Sequence, residues 1–72
     1  MRPFYHYLMT YREKNQPDDQ SRLADWVFYE PDFPKQSTDY GEISSYLEWN
    51  SPFPNALMVF DKLWEKYRMH EM

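Results

Sequence analysis

Cysteine is absent from the 72 residues. Disulfides therefore cannot hold the fold together, and cysteine-based zinc sites are excluded. A chain without disulfides is at home in a reducing cytosol. Long apolar runs are also missing: no stretch approaches the ~18 residues of a membrane span. The N-terminal Met1-Arg2-Pro3-Phe4-Tyr5-His6 has one basic residue and no apolar run of signal-peptide type. The expectation is a soluble cytoplasmic protein with no membrane partner. Basic residues are few and scattered, eight against twelve acidic, for a net charge of −4. A nucleic-acid binder usually carries a net basic domain or a clustered basic face. The charge thus disfavours nucleic acid as partner. That alternative needs Arg2, Arg12, Lys14 and Lys35 to meet in a local patch. Strand-type alternation, internal repeats and low-complexity segments are absent as well.

What the chain has is aromatic residues. Seventy-two residues allow one domain, 1–72, and a chain this short buries only ~60–65% of its unfolded surface. It needs productive core residues, and five Phe, three Trp and seven Tyr supply them. Each can bury ~150–250 Å².

Four helical patterns follow. Residues 3–14 predict a first helix, with Pro3 at its first position and Phe4, Tyr7, Leu8 and Tyr11 on one stripe. Pro17 stops it. Residues 19–30 predict a second, capped by Asp18, with Ser21 as a competing cap, and with Leu23, Ala24, Val27 and Phe28 as its apolar stripe. Pro31 and Pro34 stiffen the connector that follows. Phe33, apolar in a polar loop, is expected to plug the core. Residues 39–49 predict a third helix, capped by Thr38 or Asp39, with Tyr40, Ile43, Tyr46 and Leu47 inward. Residues 53–69 predict a long last helix, with Ser51 as cap and Phe53, Ala56, Leu57, Phe60, Leu63, Trp64 and Tyr67 in one arc. Met69 to Met72 are expected to fray. The fold class is all-α, a compact bundle of four to five helices with a long C-terminal helix.

Phe4-Tyr5-His6-Tyr7-Leu8 with Tyr11-Arg12, then Phe33-Pro34-Lys35, then Ser37-Thr38-Asp39-Tyr40 with Glu42-Ile43-Ser44-Ser45-Tyr46-Leu47-Glu48, then Phe60-Asp61 with Trp64 and Tyr67, run through nearly the whole chain. In these residues the sequence resembles the YozE-like family, short uncharacterised proteins of Gram-positive bacteria. The resemblance implies a fold similar to the sterile-alpha-motif (SAM) domain. It implies no activity, because the family has no established catalytic residues. Most SAM domains self-associate or bind other proteins and a few bind RNA, which is an analogy of fold only.

No catalytic, metal or cofactor motif rises above background, and no enzyme and no cofactor are expected. His6 and His70 are the only histidines, and nothing in their spacing brings them together with a carboxylate around a metal. Ser44 and Ser45 lack the strand–turn–helix setting of a nucleophile, and read as small packing residues. Asp39 and Glu42 read as capping groups rather than paired acid and base. The informative residues are Trp26, Tyr29 and Trp49, which lie off the core stripes. Either neighbouring helices cover them or they form a partner-facing patch, acidic through Asp25, Glu30 and Glu48. Lys35, Gln36 and Ser37, at the tip of the connector, have no packing role in these patterns. These six residues are the candidate interaction surface. The function expected is a non-enzymatic protein-interaction module that self-associates or captures a protein partner.

Overall fold

In the computed structural model, which describes residues 1–13, 15–16 and 18–71, the chain forms α1 (Phe4–Leu8), a 3-10 turn (Met9–Tyr11), α2 (Asp19–Phe28), α3 (Tyr40–Trp49) and α4 (Ala56–Glu71). There is no strand among the described residues. α4 is the longest element and packs against α1, α2 and α3.

Local chemistry explains most of the boundaries. The Asp18 carboxylate accepts a hydrogen bond from the Ser21 amide at 2.8 Å, and the Asp39 carboxylate one from the Glu42 amide at 3.0 Å. Each satisfies a backbone donor left over at a helix start. α4 starts at Ala56, three residues after its predicted start. Pro54 disfavours helical geometry at Phe53, and residues 51–55 turn instead. The Ser51 hydroxyl donates to the Phe53 carbonyl at 2.8 Å, and the Ala56 amide donates to the same carbonyl at 3.1 Å.

Two other boundaries follow from tertiary contacts. α1 gives way to the 3-10 turn after Leu8, and Arg12 leaves helical geometry with ψ 155°. Its guanidinium lies 3.6 Å over the Phe28 ring and 3.1 Å from Asp25. A stacked, ion-paired arginine outweighs the small helix propensity of three residues. Glu13 then takes φ 60°, a left-handed conformation that costs an ordinary residue ~1–2 kcal/mol. Lys14 and Pro17 lie outside the described residues. At the other end, α4 does not fray at Met69 but continues to Glu71. The Glu71 carboxylate accepts from the Arg2 amide at 2.9 Å and from its guanidinium at 3.2 Å. These contacts hold the Glu71 carboxyl below its ordinary range. The Tyr67 hydroxyl donates to the Arg2 carbonyl, so both ends of the chain are tied together.

The core joins Phe4 and Leu8 of α1 to Leu23, Ala24 and Val27 of α2, Ile43 and Leu47 of α3, and Val59, Phe60, Leu63 and Tyr67 of α4. Phe33 plugs it from the connector and is 4% exposed. Phe4 is the hub, edge-on to Phe60 at 5.2 Å and to Tyr67 at 5.4 Å between ring centroids. Such pairs add ~0.5–1.5 kcal/mol each beyond area burial. Two registers differ from the pattern reading. In α4, Ala56, Phe60, Leu63 and Tyr67 are buried as expected, but Val59 is buried and Leu57 is exposed at the edge of the stripe. In α2, Ser21 is buried and Phe28 turns outward under Arg12.

Candidate interaction surface

The site is built on one face of α3. Glu42, Ser45, Tyr46 and Trp49 stand at i, i+3, i+4 and i+7, beside the stripe that buries Ile43 and Leu47. The facing wall is the connector. Phe33 points into the core, and its neighbours Asp32 and Pro34 line the surface. With Asn50 at the helix end, these residues enclose a shallow groove of about 340 Å³. That is the lower end of the size range for binding clefts, ~300–1,000 Å³.

Its electrostatics are one-sided. Asp32 and Glu42 line the groove with no basic side chain between them. The Tyr46 hydroxyl donates to Glu30 at 2.8 Å. Burial, that hydrogen bond and the negative charges of Glu30 and Asp32 push the Tyr46 hydroxyl up to about 12. The last turn of α3 carries no basic residue to face the negative end of the helix dipole; Asn50 caps it instead, its amide and its side-chain Nδ2 both donating to the Tyr46 carbonyl at 3.0 Å. Above this floor stands Trp49, 85% exposed.

The six residues singled out from sequence do not all meet here. Trp49 does. Trp26 is half-buried and covered on one side by Tyr46, with ring centroids 6.3 Å apart. Tyr29 is 74% exposed, and its ring neighbours are Phe28 at 5.0 Å and the Arg12 guanidinium at 5.8 Å. Lys35 is half-buried, its ammonium 5.5 Å from the Tyr5 ring. Gln36 is exposed. Ser37 has the packing role that the sequence patterns lacked. Its carbonyl accepts from the Phe4 amide at 3.2 Å, and its hydroxyl accepts from the Asp39 amide at 3.0 Å. It thereby fixes the connector to α1 and to the start of α3.

Sequence reasoning missed Asp32, Pro34, Glu42, Ser45, Tyr46 and Asn50. A second stripe at 42, 45, 46 and 49, offset from the core stripe, was the available signal. Of the acidic neighbours expected around the aromatics, Glu30 holds Tyr46, Asp25 pairs with Arg12, and Glu48 is exposed. Ser44 donates its hydroxyl to the Gly41 carbonyl at 3.3 Å. Among the described residues, no three His, Asp or Glu side chains are placed to hold a metal ion. Of the four cations considered for a basic patch, Arg2 pairs with Glu71 and Arg12 with Asp25.

A larger cleft of about 610 Å³ lies at the other end of α3, lined by Met1, Tyr40, Asp61, Trp64, Glu65 and Arg68. Two of its acids have partners. The Tyr40 hydroxyl donates to Asp61 at 2.6 Å, and Arg68 stands 3.8 Å from Glu65.

Residues 3–69 match the family model described as the YozE SAM-like fold. The UPF0346 protein YuiB of Lactococcus lactis subsp. lactis is 53% identical over 64 residues, which cover 89% of this chain and 93% of that protein. The UPF0346 protein YozE of Bacillus subtilis is 45% identical over 67 residues, 93% of this chain and 90% of that one. The solution NMR structure of the Bacillus subtilis protein superposes with a TM-score of 0.79, covering 93% of this chain and 82% of that chain. The all-α architecture read from the helical patterns, and the SAM-like fold implied by the resemblance, are both borne out by the family match and the solved relative.

Proposed function

The chain belongs to the YozE SAM-like fold family, which is functionally uncharacterised, and for this member we propose a non-enzymatic role in protein–protein interaction. The observation that carries the reading is Trp49, a large aromatic 85% exposed at the rim of a groove. Tryptophan is enriched among the residues that dominate binding energy at interfaces. Its backbone is already fixed as the last residue of α3, so only side-chain ordering is lost when a partner covers it. Connector and helix supply the two walls, and Phe33 and Ser37 hold the connector in place. The partner side of the interface comes from a different protein or from a second copy of this chain.

The test compares the tagged wild-type protein with Trp49→Ala in capture from extract of the source cell after cross-linking, and in sedimentation over rising concentration. The reading expects a cross-linked partner, or a concentration-dependent oligomer, that the variant loses. The same captured set from both proteins, together with a strict monomer at the highest concentrations, removes the reading.

A further inference from the structure

We infer that the groove between the connector and α3 accepts an arginine side chain from a protein partner, its guanidinium lying flat on Trp49 and facing Asp32 and Glu42. The inference rests on the interaction reading above and specifies the chemistry of the partner.

Three features of the groove point to a cation. Its lining includes two carboxylates and no basic side chain. Behind the lining, Glu30 accepts the Tyr46 hydroxyl at 2.8 Å and places a third carboxylate next to the groove. The α3 C-terminus adds its partial negative charge, with no Lys, Arg or His in its last turn. The contrast with α4 is direct: there Arg68 and His70 occupy the last turn. A cation is what the charge distribution lacks at this place.

The aromatic wall selects among cations. An exposed indole is the best cation–π surface. A planar guanidinium stacks on it and still directs N–H groups at carboxylates in its plane, whereas an ammonium is a strongly hydrated point charge. Arg12 makes this double contact within the protein, its guanidinium 3.6 Å over the Phe28 ring while it pairs with Asp25 at 3.1 Å. The groove, at about 340 Å³, is shallow. It suits one extended side chain with its flanking backbone.

The experiment measures binding of four fluorescein-labelled octapeptides to the full chain by anisotropy. They alternate glycine with arginine, lysine, citrulline or glutamate. The arginine peptide is expected to bind most tightly, with the lysine peptide about fivefold weaker. The citrulline and glutamate peptides are expected not to bind. Trp49→Ala should weaken the arginine peptide about tenfold. The pair Asp32→Asn and Glu42→Gln should weaken it and flatten its salt dependence. Circular dichroism and a melting curve confirm that each variant is folded. Equal binding of arginine and lysine peptides, both unaffected by Trp49→Ala, shows bulk charge alone and overturns the proposal. A peptide-free dimer that Trp49→Ala dissolves also overturns it, because a second copy then fills the groove. A Trp49-dependent protein partner that the arginine peptide fails to displace overturns the arginine assignment and leaves the interaction reading standing. If no partner and no peptide depends on Trp49, both fall.

Discussion

Tyr40 and Trp49 stand at opposite ends of α3, each with carboxylates close by, and the two ends have been finished differently. Tyr40 lies nearly parallel to Phe60, with an interplanar angle of 8° and ring centroids 5.4 Å apart. Its hydroxyl donates to Asp61 on α4. Trp49 has a groove beside it, and it is 85% exposed. The difference comes from α4, which lies against the first end of the helix and supplies both a ring and an acceptor. At the second end the neighbour is a short proline-stiffened connector, which supplies carboxylates and no covering ring. An aromatic beside acids is thus a stability element where a second helix covers it and an available surface where none does.

That contrast can be broken by substitution. The largest effect belongs to Phe60→Ala, which removes the floor under Tyr40 and an edge contact of Phe4. A loss of ~3–5 kcal/mol is expected in denaturant unfolding. A loss below ~1 kcal/mol would mean that the α4 register is different. Tyr40→Ala should cost ~1–2 kcal/mol in the same measurement, from the stacked pair and the hydrogen bond to Asp61. A smaller loss than that of Trp49→Ala reverses the comparison.

Between the two ends, Tyr46 predicts a pH effect. Its hydroxyl titrates at about 12 in the folded chain against an ordinary 10.0. A raised value means that the fold favours the neutral form. The stabilisation is complete below pH 10.0 and is lost as pH rises towards about 12. Tyr46→Phe should therefore flatten the alkaline limb of the melting temperature against pH in part, leaving the shares due to Tyr7, Tyr40 and Tyr67, whose hydroxyls are also pushed up. An unchanged alkaline limb means that neither burial nor the Glu30 hydrogen bond holds the Tyr46 hydroxyl neutral. The smallest expected effect on folding is that of Trp49→Ala, within ~0.5 kcal/mol. A loss above ~2 kcal/mol would place Trp49 in the packing and remove it from the surface.

The helices themselves were legible because their signals are local. Asp18 and Asp39 cap as their positions suggest, and Pro31 and Pro34 delimit the connector. Phe33 is buried, as expected of one apolar residue in a polar loop. The candidate surface was legible only at Trp49. Trp26 lies off its own helix stripe and is still half covered, because Tyr46 of another helix reaches it. Ser37 looked idle, because its hydrogen bonds are to the backbone of Phe4 and Asp39 and leave no mark in side-chain pattern.

Periodicity, capping residues and prolines are properties of neighbouring residues, so the order and type of the elements could be read before any packing was known. Contacts between residues far apart in the chain carry no such periodic mark. Arg12 reaching Phe28 and Asp25 is what shortened α1, and Arg2 gripping Glu71 is what carried α4 to its end. The same holds for the groove. Asp32 and Glu42 become two walls of one site because Phe33 is pulled into the core and turns its neighbours outward beside α3.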